Sequence, residues 1–157
     1  MERSIVASIE KEFRRYKELA EKAFGQVAAE ELSRRHSVTD NSIATLIWHI
    51  SGNLESRFTD FLTTDGEKPD RNRESEFEPR DVTHTQAKAK WERGWACLLD
   101  TLGQLADNDL VRTVHIRQVP LPVHEALHRS LSHTSYHVGQ IVYLSKMVRA
   151  GDWTSLS

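Results

Sequence analysis

His133 and His137 stand four residues apart in SLSHTSYHVGQIVYLSK, Ser130 to Lys146, a run whose apolar residues keep helical spacing. At 3.6 residues per turn the two imidazoles project from one face on successive turns. Two imidazoles presented this way are a common half of a divalent-metal site. Slightly earlier, His124-Glu125-Ala126-Leu127-His128 spells HExxH, the zinc-protease pattern in which the histidines bind metal and the glutamate acts as base. A helical wheel separates the two pairs. His128 and His137 lie nine residues apart, about 900° of rotation, and so on opposite sides of the helix. Leu127, Leu131, Val138, Ile141, Leu144 and Val148 form the apolar face, with His133 and His137 at its edge beside Ala126 and Ser130. His124 and His128 share the polar side with Ser135, Gly139 and Lys146. The HExxH is therefore read as a chance match, and Glu125 as an acid favouring the helix dipole.

A third histidine lies far upstream. The stripe Ile43, Leu46, Ile47, Ile50, Leu54, Phe58 and Phe61 marks a second amphipathic helix, with His49 and Asn53 side by side at its edge and Arg57 continuing the row. Alone, His49 would be a half-buried packing residue. Asn53 either orients a ligand or is a plain surface amide. The helix is expected to start from Thr39, Asp40 or Asn41 and to stop at Gly66.

Two further helices must hold these elements. Ile5, Ile9, Phe13, Tyr16, Ala20, Ala23 and Val27 predict a helix from about Arg3 to Val27, followed by the polar connection EELSRRHSVTDN. Thr83-His84-Thr85-Gln86 fits a capping box opening a helix with Ala87, Trp91, Trp95, Leu98, Leu102 and Leu105 inward. The tryptophan pair is read as core. Between these helices, Gly66 to Val82 is dense in charge and lacks apolar periodicity. It is either a surface loop pinned by ion pairs and Phe77, or a solvated flexible one. Asp107 to Leu121, with Val111, Val114, Ile116, Val119 and Pro120, predicts an extended excursion. Pro122 then serves as the first residue of a last helix running to Ala150, with Gly151 as its cap. The expected architecture is all-α: a four-helix bundle with long connections, a single domain over residues 1–157.

Composition narrows the partners. A net charge of −2 gives no electrostatic case for nucleic acid or an anionic membrane, while eight histidines in 157 residues are a rich supply. No apolar run spans a bilayer, and MERSIVASIEKEF lacks a signal pattern, so a cytoplasmic location is expected. The one cysteine, Cys97, fits a reducing compartment and reads as a buried free thiol.

The order of these features resembles the DinB/YfiT-like superfamily of metalloenzymes, in a branch of unknown function. The stretches SIATLIWHISGN, GEKPDRNRESEF and HTSYHVGQIVYLSK carry the resemblance, which extends from the first helix to Ala150. It implies a four-helix bundle, usually a homodimer, with one divalent ion on His49, His133 and His137. The family metal is nickel, zinc or iron, and some relatives act on low-molecular-weight thiols such as bacillithiol or mycothiol. Asn53 and Arg57 are the residues placed to support such a site from behind.

Three neutral imidazoles leave a 2+ ion uncompensated and with an open position, the catalytic pattern. No acid stands beside His133 or His137 in the sequence, which favours thiol or substrate-supplied chemistry over proteolysis. Three functions are compatible with this: a metal-dependent thiol S-transferase or hydrolase, a metal-binding bundle without turnover, and a structural dimer. A second stripe of Tyr136, Tyr143 and Met147, with Trp48 on the second helix, points away from the core. It is either a two-fold interface or a surface covered within the chain.

Overall fold

The computed structural model describes residues 2–156. It is mostly helical, with helices α1 (Ser4–Phe24), α2 (Ala29–Leu32), α3 (Ile43–Phe58), α4 (His84–Gln104) and α5 (Val123–Arg149). Strands β1 (Thr113–Ile116) and β2 (Val119–Pro122) form one antiparallel hairpin. Among the described residues, no helix is long and apolar enough to cross a membrane.

α3 lies mainly along α4, and α1 mainly along α5. Every apolar residue of the α3 stripe from Ile43 to Phe61 is buried, as is the α4 series from Ala87 to Leu105. Trp91 and Trp95 are fully buried core residues, meeting Phe24 and Phe13 edge-on. The α3–α4 contact is close because Gly94 has no side chain: a Cβ there would lie 2.5 Å from Ser51 Cα, against backbone. Gly94→Ala is therefore expected to lower stability by about 1–3 kcal/mol through overpacking, despite alanine's better helix propensity. An unchanged urea midpoint would show that the two helices can part without cost.

Several boundaries differ from the sequence reading. α1 ends at Phe24, not Val27, with Gly25 at its C-cap; Val27 is buried from outside the helix. At the other end Val6 is buried and Ile5 is 55% exposed. There the Asp107 carboxylate accepts from the amides of Ile5 and Val6 and from the Ser4 hydroxyl, capping α1 from a distant segment. The connection after α1 contains the short helix α2. α3 is capped by Ser42, not by Thr39, Asp40 or Asn41, its hydroxyl accepting from the Thr45 amide at 3.0 Å. α3 stops at Phe58 and not Gly66: Phe61 folds back on Phe58 with ring centroids 5.1 Å apart. The capping box of α4 forms as expected, from Thr83 and Gln86.

The Asp107–Leu121 segment opens with a 3-10 turn, Asp107–Val111, before becoming extended. Pro122 ends β2 and caps α5, whose first residue is Val123. At the far end Ala150, not Gly151, takes the positive φ of 44°.

Gly66 to Val82 is ordered, as the first of the two alternatives requires. Its 3-10 turn, Glu74–Phe77, packs on α3. Arg71 bonds Glu76 and Glu67, and Arg57 reaches across to Glu67 and the Gly66 carbonyl. The loop is also tied to the β1–β2 turn. Arg117 and Gln118 both hold positive φ, 54° and 64°, as a two-residue hairpin turn matched to strand twist requires. The favoured occupants there are Asn-Gly, so these residues carry backbone strain. Asp65 holds the turn, its carboxylate accepting from the amides of Arg117 at 2.9 Å and Gln118 at 2.6 Å.

Candidate metal centre

His49 leaves α3 near its middle, and His133 and His137 leave α5 on successive turns where the two helices meet. The three rings converge. Centroids are 5.0 Å apart for His49–His133, 4.8 Å for His49–His137 and 4.6 Å for His133–His137, with the rings near-perpendicular. One ring nitrogen of each lies within 4.8 Å of the others. His49 and His137 are buried and His133 is half-buried.

The proton positions are set by the neighbours. His49 Nδ1 is 2.8 Å from Glu76 Oε2. A carboxylate only accepts, so the His49 proton sits on Nδ1 and its Nε2 lone pair faces His133 Nε2, 3.1 Å away. His137 Nδ1 donates to Gln140 Oε1 at 2.8 Å, leaving its Nε2 buried without a partner among the described residues. Burial, with repulsion from His137 and His49, pushes the His133 pKa down to about 3. Burial likewise takes His137 to about 4, against the opposing Gln140 hydrogen bond. Both rings are neutral at pH 7, the form that ligates metal. An orphaned buried nitrogen, two oriented neighbours and neutral rings all fit a divalent ion. Such an ion would rest on His49, His133 and His137.

Glu76 is the residue sequence reasoning missed. It is 6% exposed, and burial alone would raise its carboxyl. The hydrogen bonds from His49 and Arg71 outweigh that and hold it below its ordinary value. Arg71 grips both oxygens, Oε1 at 2.8 Å and Oε2 at 2.9 Å. With three hydrogen bonds on its carboxylate, from His49 and twice from Arg71, Glu76 orients His49 and is not placed as a base, the arrangement by which a carboxylate can support a metal-ligating histidine. Room for it comes from Gly52 on α3, where a Cβ would stand 2.3 Å from Glu76 Oε1. The anchor expected of Phe77 is real, its ring lying 4.5 Å from the His49 ring. Gln140 could have been found from its i, i+3 relation to His137. Glu76 had no such signal.

Asn53 and Arg57 line the cleft beside the triad, which has a volume of ≈ 400 Å³. Neither is hydrogen-bonded to a histidine; Arg57 is committed to the loop through Gly66 and Glu67. His124 and His128 are exposed on the other side of α5, and His124 Nδ1 bonds the Leu110 carbonyl. The one cluster of metal-ligating groups among the described residues is His49, His133 and His137, so the HExxH assembles no site.

A family model described as "Protein of unknown function (DUF1572)" matches residues 1–157. The chain belongs to that family. No curated protein matches it. Membership of DUF1572 leaves the activity open, so its functional reading rests on the site itself.

Proposed function

We propose that this DUF1572 chain is a divalent-metal protein of the DinB type, with α1, α3, α4 and α5 as its four-helix bundle. His49, His133 and His137 hold nickel, zinc or iron. The observation that carries this reading is the meeting of three ring nitrogens within 4.8 Å, with His137 Nε2 buried and unpartnered among the described residues. When bound, an ion on three neutral imidazoles keeps an open position and lowers the pKa of a water or thiol there. The residues around it orient and enclose. Glu76 and Gln140 fix the rings, while Phe77 and Tyr136 cover them, Tyr136 lying 4.2 Å from the His137 ring.

The activity this arrangement supports best is transfer to or from a low-molecular-weight thiol. Among the described residues no carboxylate lines the cleft, so a nucleophile brought by the substrate suits it better than hydrolysis by a protein base. A second reading is a metal that buttresses the junction without turnover, favoured by the position of the histidines where α3 meets α5. Screening metal-loaded protein for thiol conjugation separates the two. Turnover lost in His137→Ala supports the enzyme; full metal content with no turnover for any thiol supports the buttress.

The chain is further proposed to work as a homodimer. Tyr143 is 68% exposed, Tyr136 56% and Met147 41%, in one stripe of α5. Trp48 does not belong to that surface, because Arg80 covers its ring at 4.7 Å. A second copy meeting the stripe about a two-fold axis would bury it. Light scattering at micromolar concentration is expected to give a dimer, and Tyr143→Glu a monomer. A native monomer removes the proposal, and a dimer that survives Tyr143→Glu moves the interface elsewhere.

A further inference from the structure

Beside the histidine cleft lies a second pocket of ≈ 200 Å³, and the two share Asn53, Arg57 and His133. We propose that this joined space binds a small organic anion bearing an apolar group about the size of a phenyl ring. The inference names a substrate class for the metal site; the binding itself needs no metal, and only turnover of the bound anion rests on the metal reading.

The charge of the walls is one-sided. Arg57, Arg71, Arg73 and Arg117 line the cleft and Arg129 lines the pocket, with no carboxylate on either lining among the described residues. Glu67 and Glu76 sit behind the guanidinium groups, and they engage Arg57 and Arg71. The outer cations are less committed. Arg117 is 63% exposed and gives Glu67 a single bond through Nε. Arg129 stands exposed at the pocket rim. The placement of Arg117 is also built, because the strained turn and the Asp65 carboxylate fix its backbone at the cleft. Strain held by tertiary contacts is the kind that persists at binding sites.

The pocket supplies the other half. Its walls include Phe58, Phe61, Ile116 and Ala126. An apolar cavity of about 150 Å³ suffices for benzene. Ser130, 8% exposed, lines the same pocket, and its buried hydroxyl has no partner among the described residues. An inorganic anion would leave the apolar wall wet, and a neutral apolar molecule would leave the guanidinium groups unpaired. A molecule with both parts satisfies both.

The test is an NMR titration of the full chain, metal-free and zinc-loaded, at low ionic strength with phenylacetate, acetate and benzyl alcohol. Phenylacetate is expected to bind at least about tenfold more tightly than either fragment. Arg117→Gln should weaken phenylacetate about tenfold and leave benzyl alcohol unchanged. Ala126→Leu, which fills the pocket, should reduce phenylacetate to the level of acetate. If that variant fails to fold, the three-ligand comparison on the native chain decides alone. Acetate binding as well as phenylacetate overturns the proposal, as does phenylacetate binding to the metal-free chain that is indifferent to Arg117→Gln. Elemental analysis of the same samples keeps the two readings apart. Selective, Arg117-dependent binding by a chain that takes up no metal supports the anion site and removes the metal reading. A zinc-loaded chain without that selectivity does the reverse.

Discussion

His133→Ala and His137→Ala are each expected to abolish uptake of nickel, zinc or iron, while the native chain takes up one ion. The effect is large because a three-ligand site reduced to two loses both affinity and geometry. Helicity should survive. His133 is half-buried at a helix edge, and the apolar core of α5 runs through Leu127, Val138 and Ile141, all fully buried. The informative control is the double variant His124→Ala/His128→Ala, which removes a whole HExxH and should leave metal content unchanged. Elemental analysis after dialysis against each metal, with far-UV circular dichroism, reads all four chains. A His137→Ala chain that keeps its ion would end the three-histidine reading, and metal loss in the double variant would revive the motif.

Glu76→Ala should lower stability by about 3 kcal/mol, the low end for a broken buried pair, because it strips a buried partner of its nearest counter-charge. That partner is Arg71, whose side chain is 6% exposed and whose bonds run to Glu76 and Glu67. The same change frees His49 Nδ1 and should weaken metal binding by about 10–100-fold. Gly52→Ala separates the two effects. Its methyl group collides with Glu76 Oε1 and shifts the carboxylate but removes no charge. Metal affinity should fall while stability changes little, since improved helix propensity, about 1 kcal/mol, offsets the displaced carboxylate. Chemical denaturation and competitive metal titration measure these quantities. Native metal affinity in Glu76→Ala would show that the carboxylate serves the loop and not the histidine.

The His133–His137 pair is legible because a helix converts spacing into direction, while His49 joins it only through the family resemblance. Once His49, His133 and His137 were set at the edges of apolar stripes, their faces followed, and the same wheel turned HEALH outward. Glu76 was illegible for the complementary reason: a loop without periodicity gives its side chains no direction, and ESEF looked like surface. Two helix ends were overextended from one cause. Val27 and Phe61 are buried beyond their helices, so the apolar pattern outlasts the hydrogen-bonded geometry. The hairpin was hidden too, because Arg117-Gln118 lacks the asparagine or glycine that marks such a turn, and Asp65, which steadies it, lies 52 residues away from Arg117.

The division into α3 with α4 and α1 with α5 gives the triad a mechanical meaning. His49 belongs to the first pair, and His133 and His137 to the second. An ion shared among them would tie residues 84 positions apart, closing a loop in the manner of a disulfide, whose entropic effect at that length is roughly 4.5 kcal/mol. Unlike a disulfide, such a tie would come off with a chelator and return with the metal. The supply of one ion would then adjust how firmly two halves already packed through one core stay joined, and with it the chain's lifetime against proteolysis.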